Sequence, residues 1–218
     1  MDTVHAFDAY GTLFDVHSAV AAHAAEVGPE ARRLSELWRS RQLEYTWVLN
    51  GIGAYRDFEV LTREALDYAA AAVGGVDAAL KARLLGAYAE LAAFPDVRPA
   101  LEAAKGRGEG LLVFSNATPA MLDRAIRAAG LSGLFDGVLS VDTVGAYKPT
   151  PAAYGLLDPW RGRTLRFYSS NRWDVAGAVA TGIDTIWVNR TGAADEYPTY
   201  PPAAVARDLG EALHPPPA

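Results

Sequence analysis

At 218 residues the chain is long enough for one full α/β core, with length to spare for a smaller appended unit. Half of it is apolar, no apolar run reaches the ~18 residues a membrane span needs, and cysteine is absent, which excludes disulfides, thiolate catalysis and cysteine-ligated zinc. The net charge of -6 carries no basic block and so no nucleic-acid footprint, while small anionic substrates stay compatible because local cations decide binding in a cleft.

The first residues, Met1 to His5, lack a basic stretch followed by an apolar one, so no secretory signal is expected there. Val4-His5-Ala6-Phe7 reads as a buried strand that ends at Asp8, with the turn-prone Tyr10-Gly11-Thr12 after it. Residues 14 to 94 change character: Leu34, Leu37, Trp38, Tyr45 and Val48 recur at helical spacing, and amphipathic stretches cover 57 to 73 and 77 to 92. An all-helical insertion is expected there, closed by Pro95.

Strand and helix then alternate. A helix over 97 to 106 precedes a strand at 111 to 114, and a second helix over 118 to 129 stops at Gly130. Strands at 138 to 140, 164 to 168 and 184 to 188 are separated by helices at 151 to 157 and 174 to 181. The pattern predicts an α/β fold, a doubly wound parallel sheet with an inserted helical cap. Tyr197 to Pro202 and the tail from His214 to Pro217 read as loop and frayed end.

In such sheets ligands bind beyond the carboxyl ends of the strands. Those ends carry Asp8, Tyr10 and Thr12; Ser115 and Asn116; Tyr147-Lys148-Pro149; and Ser169-Ser170-Asn171-Arg172-Trp173-Asp174. A carboxylate, a hydroxyl and amide pair and an ammonium converging on one crevice suit nucleophilic catalysis through an ester or acyl-phosphate. For Lys148 taken alone, neutralising a buried acid accounts for the pair equally well.

Together Asp8-Ala9-Tyr10-Gly11-Thr12-Leu13-Phe14, Phe114-Ser115-Asn116, Tyr147-Lys148-Pro149 and Ser169 to Asp174 resemble the four ordered motifs of the haloacid dehalogenase superfamily. Phe14-Asp15-Val16-His17-Ser18, Leu37-Trp38-Arg39 and Gln42 to Trp47 are similar to the L-2-haloacid dehalogenase branch. The resemblance implies a Rossmann-like core of residues 1–13 and 95–218 with a cap at 14–94, no cofactor and no metal, a cytoplasmic enzyme, and a homodimer. Phosphatases of the superfamily carry a second aspartate two residues after the nucleophile and an acidic pair at the fourth motif; this chain has Tyr10 and Ser169-Ser170-Asn171, leaving Asp174. Phosphoryl transfer is therefore the weaker alternative, with a non-catalytic binding protein as a third.

What the resemblance implies mechanistically is attack by Asp8 on the alpha carbon of a short L-2-haloacid, with Arg39 and Asn116 receiving the halide. Water then attacks the Asp8 ester, oriented or deprotonated by Asp174 with Asn171 and Lys148 nearby, and a D-2-hydroxyacid leaves. Ser115 and neighbouring amides hold the substrate carboxylate, Lys148 pairs with Asp8, and Thr12, Tyr154 and Ser169 fix the geometry. Tyr10, Leu43, Phe58 and Trp173 form the apolar pocket. For Thr12 and Tyr154 a turn residue and a helix aromatic fit the pattern as well, while without the resemblance core packing fits Phe58 and Leu43 better and an exposed helix charge fits Arg39 better. Two departures stand out: Ser40 replaces the glutamine often found beside the arginine, and the stretch from Tyr154 to Ser169 is a few residues short.

Other signals carry no chemistry. Gly106 to Gly110 precedes a strand instead of following one and reads as a turn; Asn116-Ala117-Thr118 and Asn189-Arg190-Thr191 are chance glycosylation triplets; His5, His17, His23 and His214 lack metal-ligand spacing.

Overall fold

The computed structural model of the chain describes residues 2–213, so the expected frayed end with His214 lies outside the described residues. The first strand, β1 (Thr3–Phe7), is buried from its second residue onward because parallel strands are covered on both faces. Helices follow without a strand: α1 (Ser18–Ala21), α2 (Ala24–Val27), α3 (Ala31–Gly51), α4 (Phe58–Ala72) and α5 (Ala78–Ala89). Then come α6 (Val97–Gly106), β2 (Gly110–Ser115), α7 (Pro119–Ala128), β3 (Gly137–Ser140), α8 (Pro151–Tyr154), β4 (Thr164–Ser169), α9 (Arg172–Ala180), β5 (Asp184–Val188), β6 (Ala204–Ala206) and α10 (Leu209–Leu213). Among the described residues no helix is long and apolar enough to cross a membrane.

The six strands form one parallel sheet in the order β3-β2-β1-β4-β5-β6. Winding outward from β1 to β3 and then restarting at β4 on the other side of β1 makes strand order reverse between β1 and β4. Asp8 therefore stands at the switch point, where carboxyl ends of diverging connections leave a crevice.

Local chemistry explains where the elements begin. Asp57 and Asp77 cap α4 and α5, accepting from Val60 N at 2.9 Å and Leu80 N at 2.7 Å. Thr118 caps α7, accepting from Met121 N, with Pro119 in the first turn. The hydroxyl of that chance glycosylation triplet is thus a helix cap. Where the chain leaves the sheet and returns, Phe94 N donates to Leu13 O at 3.0 Å and Asp15 N to Ala92 O at 2.9 Å, so the two crossings run side by side as a two-stranded neck.

Three expectations are corrected and two elements are added. The buried side of α3 carries Leu34, Trp38, Gln42 and Thr46, whereas Val48 is 53% exposed; the polar members of the stripe are satisfied inside the helical layer, Gln42 by Thr62 and Tyr88 and Thr46 by Leu43 O. The helix expected over 151 to 157 is one α-turn followed by a 3-10 segment over Gly155–Trp160, which contains Pro159. Helix α9 starts at Arg172, two residues early. Finally, β6 and α10 went unanticipated, being too short to show a period.

Asp96 joins several of these parts. It accepts from Arg190 at 2.8 and 2.9 Å and from Leu209 N at 2.8 Å, while Arg190 also donates to Thr12 O at 2.9 Å. Burial alone pulls the Asp96 carboxyl up, but the guanidinium and the amide outweigh it and hold the group below its usual range. Its stabilisation is accordingly present at neutral pH and lost as pH falls through and below about 4, the ordinary carboxylate value. Asp96→Asn is expected to cost about 1 kcal/mol at pH 7, allowing for solvent screening of a partly exposed pair, and to flatten the acid limb of urea-unfolding stability plotted against pH.

Candidate active site

Asp8 leaves β1 into a turn in which Gly11 takes φ +95°, a conformation side-chain-bearing residues avoid. This turn aims the Tyr10 carbonyl at two donors, Arg39 Nη2 at 3.1 Å and Asn171 Nδ2 at 3.2 Å. It also brings Thr12 Oγ1 within 2.9 Å of Asp8 Oδ2, and Thr12 in turn accepts from Ser170 N at 2.8 Å. Thr12 is thus both the turn residue and a direct partner of the carboxylate.

Asp8 Oδ2 accepts a second bond from Asn171 Nδ2 at 2.8 Å, and Oδ1 accepts one longer bond from Lys148 Nζ at 3.3 Å. Because the Asn171 side chain is committed here, it gives no cap to α9, whose first turn begins directly after it. Ser169 Oγ accepts from Asn171 N at 3.1 Å and fixes the start of that loop.

Lys148 was expected to pair with Asp8, but it is shared. Its ammonium donates to Asp174 Oδ2 at 3.1 Å and Phe114 O at 2.8 Å as well, with no solvent exposure. Asp174 is also buried: Oδ1 accepts from Tyr154 at 2.7 Å and Oδ2 from Lys148, which leaves each oxygen one further acceptor position and no exposure to bulk solvent. Burial, eased by Lys148 and aggravated by the charge of Asp8, pushes the Asp174 carboxyl up. Burial and then the charge of Asp174 push the Tyr154 hydroxyl well above its ordinary value, which keeps it a donor. Gly177 makes the approach feasible, since a Cβ there would stand 2.5 Å from the Tyr154 hydroxyl.

Above this layer a crevice of about 10 Å³ is lined by Asp8, Tyr10, Arg39, Leu43, Phe58, Ser115, Asn116, Asn171 and Trp173. That is room for about one water molecule, so a ligand must displace part of the wall. Asn116 Oδ1 accepts from Lys148 N at 2.9 Å, and since a backbone N–H can only donate, the Asn116 Nδ2 is left to face a ligand. Ser115 Oγ accepts from Ala117 N at 3.2 Å and keeps its own hydrogen to donate. Phe58 and Tyr10 pack with ring centroids 6.2 Å apart, and Tyr10 stacks on Tyr88 at 5.5 Å.

The sequence placed Gln42 in a motif but gave it no role. It is fully buried on α3, accepts from Arg39 Nη1 at 2.9 Å, and donates to Thr62 at 2.7 Å and Tyr88 at 3.0 Å. Thr62 in turn donates to the carbonyl of Phe58 at 2.7 Å. Arg39 completes its anchoring on Asn171 Oδ1 at 3.3 Å. Its spacing of three residues from Arg39 was the available signal, since i and i+3 share a helix face. Ser40, by contrast, is exposed and bonds Leu37 O at 3.1 Å, away from the crevice.

Among the described residues no three carboxylate, imidazole or thiolate groups cluster as cation ligands, and one of the two acids here is buried against Lys148 and Tyr154. This donor set does not fit a divalent ion, which takes several oxygens at once.

A family model described as haloacid dehalogenase-like hydrolase matches residues 3–157. The (S)-2-haloacid dehalogenase 1 of Pseudomonas sp. strain CBS-3 is 44% identical, with 97% of this chain and 96% of that protein covered. The crystal structure of a dehalogenase with intermediate complex superposes with a TM-score of 0.94 at 40% identity, covering 98% of this chain and 97% of the other. The L-2-haloacid dehalogenase of Xanthobacter autotrophicus, with chloropropionic acid covalently bound, superposes with a TM-score of 0.86 at 32% identity, covering 98% of each chain.

Lys148→Met would leave Asp8 and Asp174 buried without their shared cation. Urea unfolding is expected to show a loss of about 3–5 kcal/mol, as for other broken buried pairs; a loss under 1 kcal/mol would show that the ammonium is not needed to hold the acids together.

Proposed function

The chain belongs to the haloacid dehalogenase-like hydrolases, and from that membership we propose that it removes halide hydrolytically from short L-2-haloacids to give D-2-hydroxyacids. The observation that carries this reading is the pairing of one crevice-facing carboxylate, Asp8, with the donors Arg39 and Asn116 and an apolar wall. A halide leaving group needs donors where negative charge develops and needs no proton, which agrees with Tyr10 standing where a phosphatase keeps its second acid.

Asp8 attacks the alpha carbon from the side opposite the halogen. A bond forms from its oxygen to that carbon, the carbon–halogen bond breaks, and halide leaves with the electron pair toward Arg39 and Asn116. Ser115 and nearby amides hold the substrate carboxylate, while Thr12 and Asn171 keep the nucleophile in line; such alignment is worth about 7–11 kcal/mol. Tyr10, Leu43, Phe58 and Trp173 surround the apolar substituent.

Ester formation turns Asp8 from an anion into a neutral group and leaves Lys148 paired with Asp174 alone. Water entering between Asn171 and Lys148 then attacks the ester carbonyl, with Asp174 orienting or deprotonating it. The acyl–oxygen bond breaks, the alkoxide takes a proton as the hydroxyacid departs, and Asp8 is restored. Tyr154 and Ser169 hold the supporting residues. In this reading residues 1–13 and 95–218 are the core, 14–94 are the cap that carries Arg39 and Leu43, and the enzyme works in the cytoplasm. A homodimer is part of the reading, supported by the outward apolar side chains Val48 and Ile52.

Three measurements test it. With L-2-chloropropionate, halide release by the purified protein is expected to persist in excess chelator and to vanish in Asp8→Asn; magnesium-dependent phosphate release from small phosphoesters in its place would overturn the reading. In a single turnover in water labelled with heavy oxygen, label is expected in the Asp8 carboxylate and absent from the first product. Gln42→Leu frees the Arg39 guanidinium from its anchor and is expected to lower kcat about tenfold or more with chloride as leaving group, since small misplacements of reacting groups are costly; the loss should be smaller with iodide, which depends less on donors.

A further inference from the structure

Among the described residues Trp173 alone lines both the crevice around Asp8 and a larger cavity of about 610 Å³ on its far side. No step of the mechanism uses that larger space. It is open to solvent on one side, where Trp47, Tyr197 and Tyr200 are exposed; Trp173, Ala176 and Ala180 also line it, Asn50 and Thr150 are its polar members, and it includes no acidic or basic side chain. Trp47 meets Trp173 edge-on, with ring centroids 5.7 Å apart and planes at 75°.

The outer wall is fastened to the first residue of α9. Arg172, 5% exposed, donates to the carbonyls of Tyr197 at 2.6 Å and Tyr200 at 2.9 Å and to Asp195 at 2.6 Å. The residue beside the partition thus holds the far side of the cavity in place.

Helix α3 connects the two spaces. Arg39, Leu43 and Trp47 follow one another at four residues and so lie on one stripe, successive members about 6 Å apart along the axis. The first two line the crevice and the third lines the cavity. Around a reacting alpha carbon, the carboxylate is held at Ser115, the halogen lies by Arg39 and Asn116, and Asp8 stands opposite. The remaining substituent faces the apolar wall of Tyr10, Leu43, Phe58 and Trp173, and of these Trp173 is the one that also lines the larger space, with Leu43 next to Trp47 on the helix stripe.

We propose that this cavity is a subsite for the alkyl tail of longer unbranched 2-haloacids, reached when the Trp173 ring turns aside, an inference that rests on the dehalogenase reading. The neutral lining selects a hydrocarbon tail and disfavours a second carboxylate, which would lose its hydration there without gaining a partner.

Halide release from 2-bromopropionate and 2-bromohexanoate, measured for the wild type, Trp47→Ala and Trp47→Phe, tests the subsite. The wild type should turn over both acids. Trp47→Ala should lower kcat/KM for 2-bromohexanoate about tenfold, mainly through KM, as expected when tail contacts are lost. With 2-bromopropionate it should stay within about twofold, and Trp47→Phe should restore most of the loss. An unchanged ratio between the two acids in Trp47→Ala, or a wild type active on the short acid alone, overturns the proposal. So does an equal loss on both acids accompanied by a change in sedimentation, which would make the cavity a contact between copies. Titration calorimetry with propionate and hexanoate decides the matter without turnover: hexanoate should bind more tightly, and Trp47→Ala should remove that advantage. If neither bromoacid releases halide, the dehalogenase reading fails while the calorimetry still judges the subsite.

Discussion

One ammonium, itself out of contact with water and shared by two carboxylates, underlies the rest of the site. Lys148 is bonded to Asp8, Asp174 and the Phe114 carbonyl, and its charge lies 4.2 Å from the centroid of Phe114 and 4.9 Å from that of Phe167. Burying three charges together is costly, and packing alone would favour apolar replacements. What the arrangement supplies is position. The last residues of β1, the loop after β3 and the first turn of α9 are drawn to one point, although they are far apart along the chain.

The same constraint separates the two acids by role. Asp8 keeps one face on the crevice, while Asp174 has each oxygen bonded, by Lys148 and by Tyr154. The close packing of Gly177 against Tyr154 makes this enclosure possible. A site with a single open carboxylate lends itself to covalent chemistry at that carboxylate, and the burial of the other against Lys148 and Tyr154 withdraws a ligand that a divalent ion would require.

The helical insertion supplies what the sheet lacks. From the sheet come an acid, amides and a buried ammonium, but the cation that meets the crevice, Arg39, sits on α3. Gln42, Tyr10 O and Asn171 hold that guanidinium, so cap and core share the fastening of one side chain. Asn50 on the same helix exchanges two bonds with the backbone of Tyr147, at 2.9 and 3.0 Å, and docks α3 against the loop that carries Lys148. The neck at Leu13–Asp15 and Ala92–Phe94 and the Arg190–Asp96 pair close the opposite side.

Much of this was legible in the chain itself. A parallel sheet sends every post-strand loop to one edge, so polar residues after successive apolar runs, Asp8, Ser115, Asn116, Lys148 and Asn171, had to converge, and the change to helical spacing after Phe14 marked the insertion. The tertiary structure decided what periodicity does not encode. It set which face of α3 turns inward, exposing Val48 and burying Gln42; it gave Lys148 to Asp174 as well as Asp8; and it stood Trp173 between two cavities. The reason is that a hydrophobic period reports the direction of a side chain relative to its own helix or strand, whereas a buried polar group takes its partner wherever the fold brings one, 26 residues away for Lys148 and Asp174 and 140 for Lys148 and Asp8.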